Sequence, residues 1–391
     1  MSQSAFSPTQ RQPAMARDLH WIRGALQSAV SIEHATMPLY SAAMYSLEVQ
    51  NYPAYNTLRS VLMEEMLHMA AACNALAAIG GSPRIKQLDP TAIHTGLAGT
   101  VAPGLTARFA RLSRKQLDTF MRIESPVELL PADQQALRYP TIGSFYSEIK
   151  AAIEANVDLV AGAIRGRRVA NQVGGNLGYA VIDPKGSDPV GQILASLDLI
   201  MDQGEGFGAS TLSSGAGSQD ELSHYARFAE LRFGRTYSGP DDPELDTITA
   251  EGQRRYFRGA KIAWPTVINS LAVPADGYAA ILRLDPNRVG VLRELRAFDA
   301  AYTRMLAALD DAWNGPADQS WPSLGRAVFE MNELRVISCF NILRQPVPAA
   351  AVAKIDELYP LEAAELRALS DFSETLYYGP RFLNTSLNRD R

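Results

Sequence analysis

Residues 61 to 81 read VLMEEMLHMAAACNALAAIGG, an apolar helical run with two adjacent carboxylates and an imidazole set into it. Leu58, Leu62, Glu65, Met69, Ala72, Leu76 and Ile79 recur at steps of three and four, which on an α-helix is a single stripe. Glu65 therefore belongs to the core-facing side. His68, three residues on, lies within about 60° of it. An unpaired carboxylate in that position costs on the order of several kcal/mol, so something must compensate it. Two compensations are open: a salt-bridged or hydrogen-bonded pair, or a divalent metal held by a Glu65 oxygen and a His68 nitrogen.

The same construction recurs on both sides of this helix. A preceding helix, expected over Leu19 to Gln50, carries Ile22, Leu26, Val30, Glu33, Met37, Tyr40 and Met44 on one stripe, with a kink expected at Pro38. The quoted helix, expected from Tyr55 to Ile79, stops at Gly80-Gly81, ahead of Pro83. A third helix, Ile142 to about Val160, holds Glu148 near its apolar face, and a fourth, Val190 to about Glu205, extends the stripe Val190, Leu194, Leu197, Met201 to Glu205. A fifth is expected to start at Asp220 as N-terminal cap and to carry Glu221, His224, Phe228 and Leu231 on one face. Glu221 and His224 repeat the spacing of Glu65 and His68. Carboxylates and two histidines spread over such helices form the ligand set of a carboxylate-bridged two-metal centre in a four-helix bundle.

The segments EHATMPLYSAAMYSL, VLMEEMLHMAAACNALAAIGGSP, IGSFYSEI, QGEG and SHYARF, in that order over residues 19 to 235, resemble the ferritin-like domain of iminophenyl-pyruvate dimer synthases, enzymes of violacein and indolocarbazole pathways. The resemblance implies a mainly α chain: a ferritin-like four-helix bundle with long insertions and a C-terminal helical extension. By matching positions it implies metal ligands at Glu33, Glu65, His68, Glu205 and His224. Glu148 joins them through a looser motif, and Glu221 either competes with Glu205 or binds beside it.

The rest of the chain frames this centre. Of 391 residues, 47% are apolar and 20% charged, enough to build substantial cores. The expected organisation is a tail over 1–18, the bundle over 19–238 and a helical domain over 239–391, with helices near 249–271, 288–313, 323–344 and 362–376. That last part has no histidine, and its Glu294, Glu330 and Glu333 read as surface residues. The stretch 82–140 is an excursion with a short helix near 113–123, and the Gly/Ser-rich 204–219 would sit beside Glu205.

Net charge is −5 with scattered basic residues, so nothing favours nucleic acid or an anionic membrane as partner. No apolar run is long enough to span a bilayer, and the first 18 residues are polar, so the expected location is cytoplasmic. Cys73 and Cys339 sit in apolar patterns and read as free thiols. The glycines of NQVGGNLG do not follow a strand and open a helix, which excludes the dinucleotide fingerprint. Tyr40, on the Glu33 face, packs, hydrogen-bonds a ligand or passes an electron. His34 points away from Glu33 as a hydrogen-bonded core residue, and His20 and His94 have no partner set. The methionines read as core filling.

Oxygen-rich ligands with two imidazoles suit iron, with manganese as the alternative, better than zinc. The expected function is an O2-dependent non-haem di-iron oxidase or oxygenase, acting on a small amino-acid-derived metabolite in natural-product biosynthesis. Its partners would be that substrate and a second copy or a pathway enzyme. The alternatives are a metal-storage or ferroxidase bundle, a noncatalytic scaffold, and haem-dependent imine coupling.

Overall fold

Asp18 opens the first helix by accepting the Trp21 amide at 3.0 Å, and Gly80-Gly81 closes the second. In the computed structural model the described residues are 17–48, 52–90, 96–165, 172–174, 181–205, 222–238 and 256–387. Their α-helices are α1 (Leu19–Tyr45), α2 (Tyr52–Ala78), α3 (Arg114–Ile123), α4 (Ala132–Gln135), α5 (Ile142–Glu154), α6 (Val157–Arg165) and α7 (Pro189–Gly204). They continue with α8 (His224–Phe233), α9 (Ala279–Leu282), α10 (Arg288–Asn314), α11 (Ser320–Phe340), α12 (Ala349–Val352), α13 (Ile355–Leu358) and α14 (Ala363–Leu369). Among the described residues β-structure is limited to isolated bridges such as Leu47 with Val267.

The end of α2 fixes its pairing with α1. The Gly81 amide donates to Leu76 O at 2.8 Å and the Gly80 amide to Ala77 O at 3.1 Å, the double bond of a left-handed helix terminus. Gly80 has φ +91°, and a Cβ at Gly81 would lie 2.2 Å from Leu76 Cδ1, so both positions require glycine. Arg23 of α1 then donates to the Ile79 carbonyl at the end of α2 at 3.0 and 2.6 Å, tying the two helices together. α5 packs on α1, and α7 lies against both α2 and α5, which completes a four-helix arrangement. α3 and α8 pack on each other across its end, clasped by Arg232 and Asp118 at 2.6 Å.

Local chemistry moved several expected boundaries. α1 continues through Pro38 and ends at Tyr45, where Ser46 Oγ turns back to Ala43 O at 2.6 Å. The third bundle helix is interrupted after Glu154, because Asn156 bonds back to Ala152 O at 2.8 Å and across to Arg17 O at 2.9 Å. The expected helix over 249–271 is not formed: residues 256–271 are irregular, with Pro265 disfavouring helix at Trp264 and Arg235 bridging Lys261 instead. Residues 249–255 lie outside the described residues. The expected helix over 362–376 shortens to α14, since Ser370 turns extended and Asp371 engages the Ser373 amide at 3.0 Å and its hydroxyl at 2.6 Å. α8 begins at His224, capped by Ser223, rather than at the expected Asp220 cap, which lies outside the described residues.

α10 and α11 form a hairpin whose core is continuous with that of α1 and α2. Three polar contacts join the parts, the first two of them buried. Tyr302 OH meets His34 Nε2 at 2.7 Å, Trp313 Nε1 donates to Asn74 Oδ1 at 2.9 Å, and Asp310 Oδ1 accepts the Ile85 amide at 3.1 Å. Both cysteines are free, as expected. No helix among the described residues is long and apolar enough to cross a membrane.

Burial lowers the His34 pKa to about 4, against a smaller opposing pull from the Asp89 charge. The unfolded chain takes up a proton near the ordinary value of 6.5 while the folded chain refuses it, so the stability present above that pH is lost as pH falls towards 4. In chelator-stripped protein, denaturant melts of His34→Gln are expected to show a shallower loss of stability over this window than the parent chain. Parallel pH dependences would contradict the assignment.

Candidate metal centre

Four helices deliver five side chains to a single buried point. α1 supplies Glu33, α2 supplies Glu65 and His68, and the first residue of α8 is His224. Glu124, the residue that ends α3, completes the group. All five are at most 3% exposed. Glu65 lies between the imidazoles: its Oε1 is 2.8 Å from His224 Nδ1 and its Oε2 is 3.9 Å from His68 Nδ1. Glu33 Oε2 flanks His68 Nδ1 at 3.7 Å, and Glu124 Oε2 flanks His224 Nδ1 at 3.6 Å. The two rings stack with centroids 5.3 Å apart.

The outer faces of the imidazoles decide which nitrogen looks inward. His68 Nε2 is 2.8 Å from Gln203 Oε1, and His224 Nε2 is 3.0 Å from Glu64 Oε2. Each partner atom is an acceptor, so each Nε2 donates to it and each Nδ1 is the nitrogen that faces the carboxylates, where it could ligate an ion once it carries no hydrogen. Although His224 Nδ1 is close to Glu65, the alignment is not that of a hydrogen bond, which leaves this nitrogen buried without a hydrogen-bond partner. Glu64 is itself anchored by Arg227, whose Nη1 donates to Oε1 at 2.8 Å and whose Nη2 donates to Oε2. Despite partial burial, the His224 and Arg227 contacts hold the Glu64 pKa down to about 2.

The inner carboxylates show what the cluster lacks. Burial, reinforced by the Glu124 charge, raises Glu65 well above the carboxylate range. Burial also opposes ionisation of Glu33, but the neighbouring His68, Glu65 and Tyr146 outweigh it and lower the Glu33 pKa. Burial opposes a charge on His224, but the surrounding Glu124, Glu64 and Glu65 carboxylates outweigh it and raise its pKa well above the ordinary range. Protons thus supply the positive charge that these acids demand. A cation at the same point would displace them, and Glu65, His68 and His224 can each offer one ligand atom, all within 4.8 Å of one another. The donor set, carboxylates with two imidazoles and no thiolate, fits iron or manganese.

Phenols close the shell. Tyr146 OH donates to Glu33 Oε1 at 2.5 Å, Tyr40 OH donates to Glu124 Oε1, and Thr36 donates to Glu65 Oε2 at 3.1 Å. Burial and the neighbouring carboxylates raise both phenols well above the usual range. Tyr40 is also wedged against Phe120 and Phe228, with ring centroids 4.7 and 5.0 Å away.

Of the residues expected from sequence, Glu33, Glu65, His68 and His224 come together. Glu205 is buried but turned aside. Its Oε1 accepts the Gly143 amide at 2.7 Å and its Oε2 accepts Thr141 Oγ1 at 3.2 Å, so it caps the N-terminus of α5. Burial nevertheless raises its pKa to about 8. A Cβ at Gly143 would sit 2.3 Å from Glu205 Oε2, so this contact needs glycine. Glu148 is not brought to the cluster: it lies on the outer side of α5, paired with Arg17 and 3.5 Å from Tyr139 OH. Glu221 and His94 lie outside the described residues, and His20 is exposed at the start of α1. Sequence reasoning missed Glu124, Glu64, Gln203 and Tyr146. The stripe Leu117, Phe120 runs on to Glu124 and was the available signal for it.

A family model described as ferritin-like matches residues 26–233. A ferritin-like protein from Caulobacter vibrioides is similar in structure, with TM-score 0.56 and 18% identity over 84% of this chain and 96% of that one. No curated protein matches.

Metal titrations of chelator-stripped protein separate the inner from the outer residues. Glu65→Gln and His224→Ala are expected to lose more ferrous-ion affinity than Glu64→Gln, which removes only the negative charge behind His224 and should cost about tenfold to a hundredfold. Glu148→Gln should bind as the parent does. Equal affinity in all four variants would place the ion elsewhere.

Proposed function

The chain belongs to the ferritin-like family, whose model spans more than half of it, and from that premise we propose that it is an O2-using, non-haem di-iron oxidoreductase. The substrate class we propose is a small amino-acid-derived metabolite in natural-product biosynthesis. One observation supports the reading above others: two imidazoles from different helices turn their Nδ1 atoms towards one carboxylate, Glu65, with a further carboxylate on each side. Glu33 and His68 would hold one iron ion, His224 and Glu124 a second, with Glu65 between them. Bound iron would supply electrons to O2 and oxidising power towards an organic molecule.

The chain's own residues set the conditions for that chemistry. Gln203 and the Glu64–Arg227 pair hold the two imidazoles by Nε2, so each ring already points Nδ1 at the cluster. Tyr146 and Tyr40 keep their protons, because burial beside Glu33 and Glu124 disfavours phenolate. They hold those protons at Glu33 Oε1 and Glu124 Oε1, where a carboxylate changing its share of metal charge would need one. Tyr40 is the residue proposed to act in catalysis.

Elemental analysis of protein expressed with iron is expected to give about two iron ions per chain, in keeping with the two-metal ligand set. Anaerobic ferrous protein exposed to O2 should consume it and develop the absorption of a ferric centre. Tyr40→Phe should retain the iron while slowing this oxidation. Protein that takes up no iron, or ferrous protein indifferent to O2, would overturn the proposal, and an assembly of many subunits that mineralises iron would replace it with storage.

A further inference from the structure

Away from the metal centre, α9, the start of α10 and residues 107–109 and 273–277 surround a cavity of about 340 Å³, a volume in the range of small-molecule sites. Phe109, Leu282, Leu292 and Leu383 give it apolar walls. Five arginines also line it, in two groups of different kind.

Arg108 and Arg381 are committed behind the wall. Arg108 bonds Glu365 and, at 2.7 Å, Glu362, while Arg381 reaches Asp299 at 2.9 and 2.6 Å. Arg283, Arg288 and Arg296 are exposed and have no hydrogen bond or ion pair from their side chains to any described residue. Asp276, the acid in the lining, is occupied by Tyr359 OH at 3.0 Å and the Ala280 amide at 2.8 Å.

Elsewhere on α10 the exposed charges are matched. Arg293 pairs with Glu294 and Arg304 with Glu330, each at 2.7 Å, and Lys86 spans Asp310 and Asp311 at 3.4 and 2.9 Å. The exceptions are Arg288 and Arg296, one turn either side of Leu292 on the face that lines the cavity. Arg288 is the first residue of a 27-residue helix whose cap, Asn287, makes no side-chain capping bond, so the helix dipole adds positive potential at that end. Unmatched guanidinium groups over an apolar surface suit an acid group attached to an apolar body.

We propose that this cavity binds a small organic anion, its carboxylate or phosphate held by Arg283, Arg288 and Arg296 and its apolar part resting on Phe109, Leu282, Leu292 and Leu383. Calorimetric titration of the full chain with benzoate, phenyl phosphate, inorganic phosphate and benzyl alcohol tests it. One of the two aromatic anions is expected to bind, and the tighter one identifies the acid group. Inorganic phosphate and benzyl alcohol, each lacking half of the ligand, should bind at least about tenfold more weakly. Arg288→Gln/Arg296→Gln should weaken the anion by about tenfold or more, Arg288→Glu should do likewise, and His224→Ala should leave it unchanged. Both arginines are exposed, so these variants are expected to melt as the parent does. No binding of either aromatic anion at millimolar concentration, equal binding by the double variant, or equal binding of inorganic phosphate would overturn the proposal.

Discussion

Three carboxylates, Glu33, Glu65 and Glu124, are enclosed within a few ångströms of each other at the meeting of α1, α2, α3 and α8, and their mutual repulsion is the constraint around which the molecule is arranged. Taking even one such group out of water costs several kcal/mol, on the order of 3–5 if its partner is removed. Two imidazoles in the same space cannot fully offset three acids while neutral. The cluster therefore demands protons or a cation, and the helices around it are packed well enough to hold the demand in place.

The supporting residues make this a prepared site rather than an accidental ion cluster. Each group of the cluster touches a second side chain that fixes its direction: Gln203 for His68, Glu64 with Arg227 for His224, Tyr146 for Glu33, Tyr40 for Glu124 and Thr36 for Glu65. A core built only for stability would not need both imidazoles to turn their Nδ1 atoms inward. The C-terminal helices contribute from a distance. By bonding His34 and Asn74, Tyr302 and Trp313 tie α10 to the same two helices that carry Glu33, Glu65 and His68.

Much of this was legible in the sequence because helical periodicity reports the direction of a side chain. Glu33, Glu65, His68 and His224 each interrupt an apolar stripe, and all four meet. Glu205 was legible as buried but not as a helix cap, because its partner is the Gly143 amide, and backbone donors leave no residue-type signature. Glu148 sits beside a stripe rather than on it, and Arg17 drew it outward from a segment with no periodicity to read. Glu124 escaped because α3 is only 10 residues long and ends on it, so its stripe is brief and breaks off at Ser125-Pro126. In the C-terminal part the long helices α10 and α11 were readable, whereas the region after Tyr256 was decided by Pro265 and isolated backbone pairings that no local pattern encodes.

Diffraction at the iron absorption edge from crystals grown with ferrous ion tests the central claim most directly. The account predicts anomalous peaks between Glu65 and the Nδ1 atoms of His68 and His224, with Glu33 and Glu124 on either side. A fully loaded crystal with no anomalous density at that point, or with iron bound only at surface carboxylates, would contradict it.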